Sequence, residues 1–160
     1  MADKNLCMGC MRELSGEKIC PHCGFSASAV QSAPYLSLGT VVGDRYLIGK
    51  VLEHNGEGTT YIGYDLVSNM IVNIREFLPE VLIQRDVNTS EISVISGCEL
   101  VFSDCCQSFL ELWRKLARMR GLSALICVID IVEDYGTVYA VYEAVNECLT
   151  LREYLLDIPA

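Results

Sequence analysis

With 160 residues, the chain has room for one medium domain and a small appendage. Its net charge of −9 argues against the basic surface that nonspecific nucleic-acid binding needs. It is 51% hydrophobic with a mean hydropathy of +0.31, yet no run approaches the roughly 18 apolar residues of a membrane span, so the surplus points to a buried core plus an exposed face that wants a partner.

The chain begins with two C-x-x-C pairs, Cys7/Cys10 and Cys20/Cys23, joined by a short polar loop. Each pair turns both sulfurs inward, and two such turns complete a tetrahedral thiolate cage for structural Zn²⁺. Redox or disulfide use is the competing reading. The N-terminus lacks the apolar core of a signal peptide, and the other five of the nine cysteines are scattered. Thiols plus a zinc site in a reducing cytoplasm are therefore expected. His22 is expected to face solvent, because four thiolates already close the site. A ribbon this small has almost no core, so the metal should supply most of its folding free energy. Metal removal is expected to unfold only the residues before the linker. Arg12 and Lys18 are offset by Glu13 and Glu17, which favours a structural or protein-docking role over nucleic acid.

Residues 1–25 are read as the ribbon, 26–38 as a Ser/Ala-rich linker containing Pro34, and 39–160 as the main domain. Strands are expected at 45–52, 59–65 and 70–77, with Val67-Ser68-Asn69 as a turn and Pro79 as a stop. A weaker short strand falls at 91–95. Phe102 to Arg120 reads as a helix with Phe109, Leu112, Trp113, Leu116 and Met119 on its apolar stripe, Ser103 or Asp104 as cap and Gly121 as stop. Strands at 126–132 and 137–144 flank a hairpin turn, and 149–156 reads as a short helical segment. The fold class is α+β: a small zinc ribbon, then a five-stranded antiparallel sheet with one main packing helix.

This order resembles the N-terminal lobe of a eukaryotic-type protein kinase, and more narrowly the bacterial Ser/Thr kinases with an N-terminal zinc ribbon. The resemblance rests on the ribbon from Cys7 to Phe25, on Arg45-Tyr46-Leu47-Ile48, on Thr60-Tyr61-Ile62-Gly63 and on Ile74-Arg75-Glu76-Phe77-Leu78-Pro79. It implies ATP and Mg²⁺ as ligands, held by a glycine-rich loop and a strand lysine. The departures argue against that binding. The first two loop glycines fall on Glu53 and Asn55; Gly58 is kept, and Gly56 is additional. Glu53 and Glu57 set negative charge beside the phosphates, and two unit charges ~4 Å apart repel by about 4 kcal/mol at an effective dielectric of 20. Asn73 replaces a small apolar residue, and Arg75 replaces the lysine with a bulkier planar fork. Gly56, Gly58 and Arg75 are thus the candidates for a vestigial nucleotide site. A strand-end surface pair is the equal alternative for Arg75.

The resemblance places Leu112 where a kinase helix carries its lysine-pairing Glu. Glu111 beside it is expected to face away and pair with Lys115. Tyr142 falls at the gatekeeper position. Gln84-Arg85-Asp86 and Asp134-Tyr135-Gly136 imitate catalytic tripeptides but are read as chance, the second as a hairpin turn. The catalytic base and metal-binding residues of such kinases belong to a C-terminal lobe that these residues do not include. The expected function is a non-catalytic, pseudokinase-like module that binds a protein partner or itself. The alternative is the ATP-binding portion of a divergent Ser/Thr protein kinase.

Overall fold

A computed structural model describes residues 5–119, 121–122 and 125–144. The helical segment expected at 149–156 lies outside them. In chain order the elements are β1 (Val41–Val42), β2 (Tyr46–His54), β3 (Gly58–Asp65), β4 (Met70–Phe77), β5 (Ile83–Arg85), β6 (Ile92–Val94), α1 (Glu99–Arg118), β7 (Val128–Asp134) and β8 (Thr137–Glu143). Six strands form one antiparallel sheet in the order β1-β2-β3-β4-β8-β7, and β5 and β6 form a separate hairpin. The sixth strand, β1, is two residues long, too short to leave a propensity signal. The strand expected at 91–95 is present as β6; its partner β5 carries no alternation that marks it.

The β3–β4 ladder sorts the side chains. Thr60, Ile62 and Tyr64 oppose Arg75, Asn73 and Ile71, while Thr59, Tyr61 and Gly63 oppose Glu76, Ile74 and Val72. Successive residues point to opposite faces, so these are two rows on two sides of the sheet. The second row joins Tyr46, Ile48, Tyr139, Val141 and Leu36 in one buried cluster. The first row continues through Ala140 and Tyr142 into the cluster formed with α1.

The sheet is strongly curled. The Gly43 N–H donates to Asp134 Oδ2 at 2.8 Å, the Tyr46 hydroxyl to Asp130 at 2.8 Å and the Tyr135 hydroxyl to the Val41 carbonyl at 3.0 Å. These bonds bring the first and last strands together around the tyrosine-rich core. Tyr135 and Gly136, both at positive φ, make the two-residue turn between β7 and β8, as read for the Asp134-Tyr135-Gly136 tripeptide.

The helix departs from its expected bounds and, in part, from its expected face, since Phe109, Trp113 and Leu116 pack as expected. It starts at Glu99, behind Cys98, which makes no side-chain cap; Ser103 and Asp104 lie inside it. Its buried residues are Phe109, Leu110 and Trp113, with Phe102, Cys106, Leu116 and Ala117 beside them. Leu112 and Met119, placed on the buried stripe by spacing, are half exposed. The stripe is set by aromatic contacts: Phe77 against Phe102 and Phe109, and Trp113 stacked on Tyr142 at 5.4 Å.

The ribbon is held by two isolated bridges, Leu6↔Glu13 and Ile19↔Ser26. It sits against the sheet, with Leu6 and Met11 buried beside Tyr64. The 26–38 segment follows the sheet surface. Leu36 is fully buried in the core, and the Gln31 amide donates to the Leu36 carbonyl and accepts from the Val51 N–H.

Candidate functional site

The four thiols of Cys7, Cys10, Cys20 and Cys23 place their sulfurs within 4.8 Å of one another. Cys7 and Cys23 approach to 3.6 Å and Cys10 and Cys20 to 3.8 Å, across the two knuckles. Burial raises the Cys7 thiol above its ordinary value, and the Gly9 N–H donated to its sulfur at 3.3 Å only partly opposes this. Burial opposes ionisation of Cys20, but the N–H groups of Cys23 and His22 together with the Cys7 and Cys23 thiols outweigh it and bring that thiol to about 7. Burial pushes Cys10 up to about 12. An all-sulfur donor set closing on one point suits a metal ion such as zinc. His22 stays outside the cluster, its Nδ1 3.4 Å from the Arg12 guanidinium.

The loop between β2 and β3 is the second candidate site. Its centre is Asn55. The Asn55 Oδ1 accepts from the Glu57 N–H at 3.1 Å, from the Gly58 N–H at 3.1 Å and from Arg75 Nη2 at 2.6 Å. Two loop amides and the strand cation thus converge on one oxygen. Arg75 is itself buried, 6% exposed, so of the surface pair that was its alternative only the Glu57 side is exposed. Its Nη1 donates to Thr60 Oγ1 at 3.2 Å, and its Nη2 lies 3.5 Å from Glu57. Thr60 in turn donates to Glu53 Oε1 at 3.2 Å. Glu53 and Asn55 are thus linked to each other through Thr60 and Arg75.

Gly58 and Gly56 divide in role. A Cβ on Gly58 would run into the Glu76 carbonyl oxygen on β4, so strand pairing alone accounts for this glycine. A Cβ on Gly56 meets nothing within 4 Å. Asn73, which stands where a small apolar residue would be expected, lies opposite Tyr142 in the β4–β8 ladder. Glu111 is exposed and accepts from Gln107 Nε2 at 3.3 Å, one turn toward the helix start, in place of the expected Lys115. Leu112 faces away from the sheet.

A buried charge cluster that sequence reasoning missed lies on the opposite face. Glu76 is fully buried and accepts from the hydroxyls of Tyr61 at 2.6 Å and Tyr139 at 2.7 Å and from the Arg85 guanidinium. Arg85 also donates to the carbonyls of Pro34, at 2.6 Å, and Ser90. It ties the β5–β6 hairpin and the 26–38 segment to the sheet. Burial, then the Glu76 charge, raises both tyrosines far above their ordinary range, keeping them as donors. Arg85, the middle residue of that tripeptide, is thus a buried structural link, while Gln84 and Asp86 beside it are exposed.

The sheet, its packing helix and the four-cysteine cluster place the chain with protein-kinase N-lobe-like folds. Among solved structures it is similar to the apo form of PpkA-294, with a TM-score of 0.64 and 24% identity over 69% of this chain. The match spans 38% of that chain. No family model matches the sequence, and no curated protein matches it.

Proposed function

We propose that this chain is a non-catalytic, pseudokinase-like module that binds a protein partner, with a structural zinc ribbon on Cys7, Cys10, Cys20 and Cys23. The observation that carries this reading is Asn55. Its carboxamide oxygen takes the two loop amides and the arginine that an anionic ligand would use. Glu53 and Glu57 add negative charge at the same place. A nucleotide entering there must displace three hydrogen bonds, one of them to a charge, worth about 1.5–3 kcal/mol for the charged bond alone. The partner side of the reading is supported by exposed apolar residues on and after α1: Leu100, Val101, Leu112, Met119 and Leu122. Four thiolates on a metal suit a reducing cytoplasm.

Thermal unfolding with and without Mg-ATP tests it. The expected result is no shift in Tm at millimolar nucleotide. A clear stabilisation that disappears in Arg75→Ala would instead establish the ATP-binding portion of a divergent Ser/Thr kinase.

A further inference from the structure

The ribbon and the sheet meet over a defined apolar face. Leu47, Ile62, Tyr64 and Ile71 present their side chains from β2, β3 and β4 to Leu6, Met8 and Met11. Met11 is 2% exposed and Tyr64 6%. The Lys50 N–H donates to the Met8 carbonyl at 2.8 Å, so the knuckle is also bonded to the sheet backbone. Gly49 permits this approach: a Cβ there would run into the Met8 carbonyl oxygen, the Met11 methyl and Ile62. Met8 lies between the cysteines of the first pair, and Met11 follows Cys10 directly at φ 57°, in the left-handed region. The turn that binds the metal is the turn that aims both methionines at the sheet. The ribbon's buried apolar side chains, Leu6 and Met11, belong to the cluster shared with Tyr64, so among the described residues their core is the interface itself.

We propose that the ribbon is a metal-dependent cover: while the four thiolates hold zinc, it seals the Leu47/Ile62/Tyr64/Ile71 face, and loss of the metal uncovers it. The proposal rests on the zinc reading above and goes beyond it by coupling the metal to a surface of the other domain. Without the metal, the knuckle has no bond across its four sulfurs to fix Met8 and Met11 in place. The rest of the sheet keeps its own supports, since the core under Tyr46, Tyr61 and Tyr139 and the α1 cluster use no ribbon residue.

The test uses the full chain. Metal content is measured first, by release into a colorimetric zinc indicator; one equivalent per chain is expected, and its absence with all four thiols reduced would overturn the zinc reading and the cover with it. Amide hydrogen exchange is then followed before and after chelation with EDTA. Exchange is expected to quicken at least tenfold in 46–50, 62–65 and 70–72 while 137–143 and α1 are unchanged. The double variant Met8→Ser/Met11→Ser, which alters no sheet residue, is expected to give the same exchange pattern with zinc still bound. With zinc present in the wild type, unchanged exchange on chelation, or uniform loss of protection across the whole lobe, would overturn the cover while leaving the zinc site standing.

Discussion

Asp65 ends β3, and its carboxylate accepts five hydrogen bonds: two from Arg45 at 2.9 and 2.7 Å, two from the N–H groups of Val67 and Ser68, and one from the Ser68 hydroxyl. The Arg45 bonds, against burial, hold its carboxyl well below the ordinary carboxylate range. A pKa lowered by folding contributes stability that is present above the unfolded value of about 3.9 and lost as pH falls through the folded value. Asp65→Asn should therefore be less stable at neutral pH, and its stability should fall less between about pH 4 and pH 2 than the wild type's; urea unfolding across that range reads both. Glu76 and Arg85 behave differently because both are buried and paired. Removing one partner leaves a charge without compensation, so Arg85→Ala should cost about 3–5 kcal/mol. The double variant Glu76→Gln/Arg85→Ala should recover part of that loss in chemical denaturation. At this scale the sequence was partly legible. The zinc ligands show in their spacing, and the Asn55 turn could have been found, since Asn before a glycine pair favours side-chain bonds to the backbone two residues on. The Glu76–Arg85 pair could not, because nothing local joins a strand residue to the hairpin nine positions later.

The strands of the first meander were readable because β-branched and aromatic residues run between clear turns; the expected 70–77 strand is β4 to the residue. The helix was readable as an element and in part by face: Phe109, Trp113 and Leu116 of the expected stripe are packed, and Leu112 and Met119 are not. Its sequence holds two overlapping apolar stripes, one through Phe109, Leu112, Trp113, Leu116 and Met119 and one through Phe102, Cys106, Phe109, Leu110, Trp113, Leu116 and Ala117. The tertiary partners choose between them. Phe77 and Tyr142 lie on the sheet side, and tilted and stacked ring contacts with them fix the second stripe. The choice has a measurable consequence. Trp113→Ala should cost about 3–5 kcal/mol, as for large-to-small changes in a packed core. Leu112→Ala should stay within about 1 kcal/mol, although spacing alone puts it on the same buried stripe. Equal losses in urea titrations of the two variants would contradict the observed helix rotation.

The whole molecule combines a strongly acidic chain with unburied apolar residues, and these pull association in opposite directions. Leu112 and Met119 lie seven residues apart, two turns on one side of α1, and Leu122 follows beyond the helix end; all three are exposed. Burying such side chains against a partner returns about 25 cal/mol per Å² of apolar surface removed from water. Two copies at a net charge of −9 each repel, and that repulsion is screened beyond a Debye length of about 10 Å at 0.1 M salt. Self-association through this side should therefore tighten as salt rises, the reverse of an interface made by charge attraction. Sedimentation velocity over a concentration series at low and high salt measures it. Leu112→Glu should weaken association at every salt concentration while leaving Tm nearly unchanged, because that side chain contributes little to the fold. A monomer at all concentrations and salts would show that the exposed apolar side of α1 does not meet a second copy and would leave a different protein as its partner.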